Sequence, residues 1–247
     1  MNKIIVIVGP TAVGKTKLSL AVAKRFNGEI INADSTQIYK ELNIATAKIE
    51  PSEREGVPHH LIDLKSLEED YTVYHYQQDS RKIIENILAN KKTPIMVGGT
   101  GLYIKASLYD YKFNQEKNKS NYLLYDVIFI GLTTTREKLY ENINQRVDVM
   151  VEKGLIAEAK KIYNLNIKTK AVMTPIGYKE LFLYFDGKKT LEESLELIKQ
   201  RSRNYAKRQY TWFNNQMRIN WFETNYDDFN ETIKEVINYI EKNKQEF

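Results

Sequence analysis

Short apolar runs alternate with longer amphipathic stretches over the first half of the chain. The runs are rich in Ile and Val and have the length of buried strands, whereas the stretches between them repeat apolar residues at helical spacing. The predicted strands are residues 3–8, 29–33, 61–64, 93–97 and 126–132, of which 61–64 has the weakest pattern. The predicted helices follow the first strand up to about residue 26 and cover 72–90 and 100–108. This alternation is typical of βαβ units and predicts a parallel sheet.

The second half of the chain has a mostly helical pattern. The predicted helices there are residues 136–153, 155–165, 176–185, 190–213 and about 226–242, with a short apolar run at 219–222. A polar stretch at residues 110–120 is the clearest linker. We therefore expect one domain over residues 1–247, with a core at 1–134, a helix-rich part at 135–247 and a linker at 110–124.

Composition narrows the chemistry that this fold can carry. The chain has no Cys and three His, which excludes disulfides, a thiolate metal site and a Cys nucleophile and leaves oxygen ligands for any metal. A net charge of +5 is compatible with a phosphate-rich partner. The early apolar run of five residues is too short for a secretory or membrane segment. We expect a cytoplasmic monomer with no membrane partner.

A complete phosphate-loop motif follows the first predicted strand and precedes the first helix. Glycines allow the backbone to fold so that successive N–H groups face one anion, and the helix N-terminus adds its dipole. The lysine supplies a positive charge, and the hydroxyl after it can bind Mg²⁺. The residues are Gly9, Pro10, Thr11, Ala12, Val13, Gly14, Lys15 and Thr16. The chain is thus predicted to be an α/β protein: a P-loop parallel sheet flanked by helices, with a helical C-terminal part.

The motif alone favours a nucleoside triphosphatase or a small-molecule kinase. Phosphoryl transfer normally needs a second acid that organises Mg²⁺ at the end of another strand. The strand at 93–97 is instead followed by Gly98, Gly99 and Thr100, and Asp63 is a substitute in a weaker context. The lack of a second acid after this strand argues against a plain ATPase.

Polar residues follow two other predicted strands. Asp34 comes after the strand at 29–33, and Thr100 after the strand at 93–97. Because the carboxyl ends of parallel strands meet at one edge, both should lie beside the phosphate loop. Each has a simpler alternative role, Asp34 as a turn acid and Thr100 as a helix N-cap.

Several blocks, in order along the chain, resemble the tRNA dimethylallyltransferase (tRNA isopentenyltransferase) family. They are the phosphate loop and residues 28–39, 46–48, 58–63, 97–103, 176–181, 205–209 and 211–213. The resemblance covers most of the chain. It implies transfer of a dimethylallyl group from dimethylallyl diphosphate to the exocyclic amine of the adenine 3′ of the anticodon in tRNA, with release of diphosphate.

The resemblance also assigns roles to residues. It implies that the phosphate loop holds the donor diphosphate rather than ATP, with Mg²⁺ on Thr16. Asp34 would take the proton of the amine, Thr100 would orient that amine, and Lys15 and Arg208 would act at the diphosphate. The implied tRNA-binding residues are Asp34, Ser35, Thr36, Gln37 and Thr100. The target base has to leave its loop to reach such a site.

The chain departs from the family pattern in its RNA-binding part. Members usually carry a helical insertion after the Gly-Leu-Tyr helix, whereas here only the polar stretch at 110–124 occupies that place. The helix at 190–213 has a basic stripe formed by Lys199, Arg203 and Lys207. This stripe is either an ordinary solvated helix face or a substitute surface for RNA. On another side of the same helix, Arg201 and Arg208 border the buried face, where we expect them to meet an anion. A non-catalytic RNA-binding relative is the remaining alternative to an enzyme.

Overall fold

A computed structural model describes residues 3–113 and 122–245. Its strands form one all-parallel sheet in the order β3-β2-β4-β1-β5-β6. The strands are β1 (Ile4–Val8), β2 (Gly28–Asn32), β3 (His59–His60), β4 (Thr93–Val97), β5 (Val127–Thr133) and β6 (Asn220–Glu223). The helices are α1 (Lys15–Arg25), α2 (Val73–Ala89), α3 (Gly101–Leu108), α4 (Arg136–Glu152), α5 (Leu155–Asn164), α6 (Lys170–Met173), α7 (Tyr178–Phe185), α8 (Leu191–Gln216) and α9 (Phe229–Gln245). The predicted α/β fold with a parallel sheet, flanking helices and a helical C-terminal part is confirmed.

Strand β1 lies at the centre of the sheet because it is apolar on both faces. All five of its residues are fully buried. Ile7 pairs with Val97 of β4 on one side and with Ile130 of β5 on the other. The chain that leaves β1 therefore enters the middle of the carboxyl edge, between the ends of β4 and β5.

The alternation of side chains along β1 divides the core into two clusters. Ile5 and Ile7 pack in the cluster that includes apolar residues of α1 and α9, whereas Ile4, Val6 and Val8 belong to the cluster with α2, α3, α7 and α8. Burial on both faces is the expected arrangement for a parallel sheet. Both layers of helices thus reach the carboxyl edge, where loops and helix ends meet.

The weakest predicted strand, at residues 61–64, is wrong. The strand at this edge is His59–His60, and the chain turns directly after it. Leu61 and Asp63 have φ values of 61° and 58°, so both are in the left-handed region, which is incompatible with a strand. The apolar Leu61 is buried without belonging to the sheet.

The helix-rich C-terminal part contributes the last strand of the sheet and a helix that packs on it. Strand β6 pairs in parallel with β5, and α9 packs beside α1. Helix α6 has no counterpart among the predicted helices, because four residues are too few to show a helical period. Within residues 3–113 and 122–245, no helix has the length and apolar character needed to cross a membrane.

The predicted linker lies partly outside the described residues, which omit 114–121. Its described ends lie side by side: Tyr109 forms an antiparallel bridge with Leu123, and the backbone N–H of Asp110 donates to the carbonyl oxygen of Tyr122 at 3.0 Å. The two described ends of the connection between α3 and β5 are therefore neighbours in space.

Candidate active site

A cavity of about 1000 Å³ lies at the carboxyl edge of the sheet. The phosphate loop, the segment after β2 and the turn after β4 form its floor, and α4 and α8 contribute walls. The predicted site residues that line it are Thr11, Ala12, Gly14, Lys15, Thr16, Asp34, Ser35, Thr36, Gln37 and Arg208. Gly9, Pro10 and Val13 are buried instead. One cavity therefore brings the loop together with Asp34, as the strand order requires.

The phosphate loop needs glycine where it leaves the sheet and where it enters α1. Gly9 has a φ of 140°, and a Cβ there would lie 2.6 Å from the carbonyl oxygen of Leu132. Ala12 and Gly14 have φ values of 66° and 92°, so the loop passes twice more through the left-handed region. This backbone is strained for residues with side chains and persists only where its surroundings hold it.

Lys15 folds back over the loop. Its Nζ donates hydrogen bonds to the carbonyl oxygens of Gly9 at 3.0 Å and Pro10 at 2.7 Å. Burial and the nearby Arg146 guanidinium lower the pKa of Lys15 to about 7, and the Asp34 carboxylate opposes this shift. An anion bound in the loop would favour the charged form of Lys15 and raise this pKa.

Asp34 combines the turn role and the cavity position that the sequence left as alternatives. Its Oδ1 accepts hydrogen bonds from the backbone N–H of Thr36 at 2.9 Å and from the Thr36 hydroxyl at 2.6 Å. The side chain of Asn32 accepts from the backbone N–H of Asp34 at 3.2 Å. In the part of the chain that the structure describes, no donor lies within hydrogen-bond distance of Asp34 Oδ2. One carboxylate oxygen is thus fixed, and the other is available to a ligand.

Thr100 connects the ends of β2 and β4. Its Oγ1 accepts from the backbone N–H of Ser35 at 3.1 Å and lies 3.4 Å from the Ser35 hydroxyl. Burial raises the pKa of the nearby Tyr205 to about 12, and the Thr100 side chain opposes this shift. Thr100 is the N-cap residue of α3, as one alternative predicted, but its side chain makes no capping hydrogen bond. Gly98, Gly99 and Ser35 line the cavity, and Thr100 does not. Thr100 instead holds the backbone of Ser35 in place.

Gln209 of α8 is a site residue that the sequence did not single out. Its Oε1 accepts from the backbone N–H of Thr11 at 3.2 Å, and its Nε2 donates to the carbonyl oxygen of Gly99 at 3.2 Å. A Cβ on Gly99 would lie 2.0 Å from that Nε2. Gln209 therefore ties the phosphate loop to the turn after β4. Its only signal in the sequence is an amide on the apolar face of a predicted helix.

Arg146 of α4 is the second site residue that sequence reasoning missed. It lines the cavity and lies close enough to influence Lys15 and Asp34 electrostatically. Burial lowers the pKa of Arg146, and the Asp34 carboxylate opposes that effect. The signal was its spacing, since Ile143 and Val147 on the same side of α4 are buried. An arginine on the apolar side of a helix needs an anionic partner.

The two arginines that border the buried face of α8 have different surroundings. Arg208 lines the cavity, with its guanidinium carbon 5.9 Å from the centre of the Tyr205 ring. Arg201 forms an ion pair with Glu180, a fully buried carboxylate that also accepts from the backbone N–H of Gly177 at 2.7 Å. Both arginines reach the cavity wall, but Arg201 already has an anionic partner within the chain.

The basic stripe on α8 is largely neutralised. Lys199 forms an ion pair with Asp148 at 2.6 Å. Arg203 pairs with Glu196 at 2.9 Å and donates to the side chain of Asn144 at 2.7 Å. Asp148 and Asn144 belong to α4, so Lys199 and Arg203 serve the packing of two helices. Lys207 is exposed and forms no ion pair with residues 3–113 or 122–245.

Asp63 does not replace the missing second acid. Its Oδ1 lies 2.6 Å from Nζ of Lys48, and its Oδ2 lies 3.8 Å from a nitrogen of Arg54. Across the described ranges 3–113 and 122–245, no group of three or more His, Asp or Glu residues could hold a metal ion.

Comparison with known proteins identifies the family. The model of a family described as IPP transferase matches residues 37–123 and 111–216. A tRNA dimethylallyltransferase of Anoxybacillus flavithermus is 42% identical over an alignment of 300 residues that covers 97% of this chain and 96% of the relative. The chain belongs to the IPP transferase family. A tRNA dimethylallyltransferase of Bacillus subtilis is 40% identical over 89% of this chain and 90% of its own length.

Solved IPP transferase structures share the whole fold. The full-length tRNA isopentenylpyrophosphate transferase of Bacillus halodurans has a TM-score of 0.91 and 38% identity, covering 98% of this chain and 96% of its own. A eukaryotic dimethylallyltransferase, described as acting on tRNA, has a TM-score of 0.87 and 27% identity over 96% of this chain and 78% of its own. The fold and the family prediction are both confirmed.

This chain is also shorter than the Anoxybacillus relative within the aligned region. The alignment with the Anoxybacillus protein is 300 residues long, whereas this chain has 247, so part of the relative has no counterpart here. The two matches of the family model meet and overlap at residues 111–123, within the predicted linker. The reduced insertion expected from the sequence fits this position.

Proposed function

We propose that this protein transfers the dimethylallyl group of dimethylallyl diphosphate to the exocyclic amine of the adenine 3′ of the anticodon in tRNA. The observation that carries the proposal is that the phosphate loop and Asp34 line one cavity. The loop supplies the chemistry to hold a diphosphate, and Asp34 supplies a base opposite it. Relatives that match nearly the whole chain are named for this activity.

The cations of the cavity suit a departing diphosphate. Lys15, Arg146 and Arg208 line it together. When the bond between C1 of the dimethylallyl group and the diphosphate oxygen breaks, the electron pair remains on that oxygen. Fixed positive charges in a partly buried site stabilise this developing charge more than water does. Burial and, to a lesser extent, the Arg146 guanidinium lower the pKa of Lys15 in the free protein, and a bound diphosphate would oppose both effects.

Magnesium fits the loop in a supporting role. Thr16 lines the cavity directly after Lys15, and the absence of a carboxylate cluster in the described residues suits an ion that keeps water and substrate oxygens as its ligands. When bound to Thr16 and the diphosphate, Mg²⁺ would supply further positive charge to the leaving group. The chain itself holds the loop and Lys15 in place.

Asp34 is placed to accept the proton that the reaction releases. The amine nitrogen of adenine forms a bond to C1 of the dimethylallyl group and loses one proton, which passes to the free Oδ2 of Asp34. Oδ1 remains hydrogen-bonded to Thr36 throughout, which fixes the direction of the carboxylate. Products are the prenylated adenosine and diphosphate.

The segment after Asp34 would contact the extruded adenine. Ser35, Thr36 and Gln37 line the cavity, and Gln37 Nε2 donates to the carbonyl oxygen of Thr46 at 3.0 Å. Thr100 acts on the amine through Ser35 in this arrangement. We place the enzyme in the cytoplasm, where its tRNA substrate is made, and as a monomer, since one chain supplies the whole cavity.

The test supplies two sets of substrates to the purified protein. One reaction contains dimethylallyl diphosphate, unmodified tRNA and Mg²⁺, and the other contains ATP and Mg²⁺. Formation of prenylated adenosine, detected by mass spectrometry of the digested tRNA, supports the proposal. Phosphate release from ATP without RNA would instead support a nucleotide-dependent enzyme, and tRNA binding without turnover would support a non-catalytic relative.

A further inference from the structure

The back of the phosphate loop is held by the last part of the chain. The Thr224 hydroxyl donates to the carbonyl oxygen of Val13 at 3.1 Å, and the Tyr226 hydroxyl lies 3.4 Å from the carbonyl oxygen of Ala12. Asn142 of α4 reaches the same Ala12 oxygen at 3.5 Å. Side chains from distant positions therefore satisfy loop carbonyls on the side away from the cavity.

An aromatic ring covers the loop at its last glycine. A Cβ built on Gly14 would lie 2.5 Å from Cε2 of Phe229, so the ring rests directly against the Gly14 backbone. Gly14 has a φ of 92°. Nζ of Lys17, in the first turn of α1, lies 4.9 Å from the centre of the same ring. Phe229 thus contacts the point where the loop becomes a helix.

The segment that carries these residues is itself firmly anchored. Strand β6 continues the sheet beside β5, and the backbone N–H of Thr224 donates to the carbonyl oxygen of Thr133 at 2.9 Å. The backbone N–H of Asn225 donates to the hydroxyl of Thr232 at 2.9 Å, and Thr232 is almost fully buried. The topology therefore delivers residues 224–229 to the carboxyl edge, next to the loop that follows β1.

We propose that Thr224, Tyr226 and Phe229, here called the loop brace, are positioning residues for diphosphate binding. The loop can present N–H groups to an anion only while its carbonyls have other partners and its left-handed residues are kept in place. The loop brace supplies both conditions. It lies beyond residue 216, where the family-model match ends. The inference rests on the proposed function, because it assumes that the loop holds a diphosphate.

The test compares Thr224→Val with Thr224→Ser in the full-length protein. Valine keeps the shape of the side chain but leaves the buried Val13 carbonyl without its donor, whereas serine retains the hydroxyl. Isothermal titration with inorganic pyrophosphate and Mg²⁺ measures binding without requiring activity. We expect Thr224→Val to raise the Kd about tenfold and Thr224→Ser to stay within about twofold of the unaltered protein.

Thr93→Val provides a matched control for lost stability. Thr93 is buried to a similar degree and also donates its hydroxyl to a carbonyl, that of Phe26 at 2.9 Å, but it lies at the start of β4, the end of the sheet opposite the loop. We expect Thr93→Val to lower Tm about as much as Thr224→Val and to leave the pyrophosphate Kd unchanged. Equal weakening of binding by the two variants would overturn the inference.

Two further measurements keep the outcomes separate. If Thr224→Val does not fold, Tyr226→Phe removes a hydroxyl from a half-buried ring, and an unchanged Kd in that variant counts against the loop brace. If the unaltered protein does not bind pyrophosphate, the proposed donor site itself is wrong, and the loop brace has no diphosphate site to support. In the active enzyme, Phe229→Ala should raise KM for dimethylallyl diphosphate and leave the Kd for tRNA unchanged; a change in tRNA binding alone would contradict the inference.

Discussion

Cations in the cavity and cations on the α4-facing side of α8 differ in their partners. Lys199 and Arg203 each lie within 4.0 Å of a carboxylate of this chain. Lys15, Arg146 and Arg208 line the cavity, and among the described residues none of them has a carboxylate within that distance. Both sets belong to amphipathic helices or their N-termini, so sequence spacing alone does not separate them.

The difference teaches which positive charges are available to a ligand. Lys15 and Arg146 are partly buried, whereas Arg208 is exposed. A partly buried cation without a counter-ion costs free energy, and proteins retain such charges chiefly where a substrate supplies the anion. Ion-paired cations such as Arg203 connect elements of the fold. The comparison therefore supports the proposed donor site in the cavity and assigns helix packing to Lys199 and Arg203.

The largest expected effect comes from the anion that faces the unpaired cations. Asp34→Asn removes the proton acceptor but keeps the size of the side chain, so we expect the single-turnover rate to fall by about 10²–10⁴-fold. The Kd for tRNA should change much less. Rapid-quench measurement of prenylated adenosine, combined with a tRNA binding assay, checks this. A large loss of tRNA binding with unchanged chemistry would contradict the role of Asp34 as base.

The next effect compares an unpaired arginine with a paired one. We expect Arg146→Gln to lower kcat/KM for dimethylallyl diphosphate by about 100-fold, because it removes a charge that stabilises the leaving group. Arg203→Gln serves as the matched control, with an expected change of about twofold or less, since surface ion pairs contribute little. Steady-state kinetics of both variants measure this difference. An equal loss of kcat/KM in the two variants would contradict the distinction between the cavity cations and the ion-paired cations.

A third variant tests the ion pair at the cavity wall. Arg201→Gln leaves the fully buried Glu180 without its cationic partner, so we expect the free energy of unfolding to fall by about 1–3 kcal/mol. Denaturant unfolding measures this loss. The double variant Arg201→Gln with Glu180→Gln should recover part of it, and no recovery would show that the pair is not the cause.

The smallest expected effect concerns Lys15 and depends on pH. The pKa of Lys15 is lowered to about 7, so below pH 7 the folded protein holds a buried charge, and the wild type gains stability as pH rises from about 7 towards the normal value of 10.5. Below pH 7, Lys15→Met should thus have a higher Tm than the wild type. Each kcal/mol of difference in the free energy of unfolding should raise Tm by about 2–4 °C. The difference in Tm should disappear by about pH 10.5. A difference that does not change with pH would contradict the prediction.

The sequence predicted local features and missed those that depend on tertiary contacts. The phosphate loop and β4 were predictable because adjacent residues determine them. Residues 61–64 were not, because burial of Leu61 comes from the fold around it and not from a strand. Arg146 and Gln209 reach the loop from positions more than a hundred residues away, which only the packing of α4 and α8 against the sheet edge determines.

The bridge between Tyr109 and Leu123 has a consequence for how proteins of this family vary in length. Since the two described ends of this connection are already neighbours, a whole subdomain can be added or removed there while the strand that follows keeps its register. The entropy of closing a longer connection grows only slowly with its length. Gain or loss of chain at this junction is thus separable from the cavity at the carboxyl edge, and a segment grafted from a longer relative has a ready-made point of attachment.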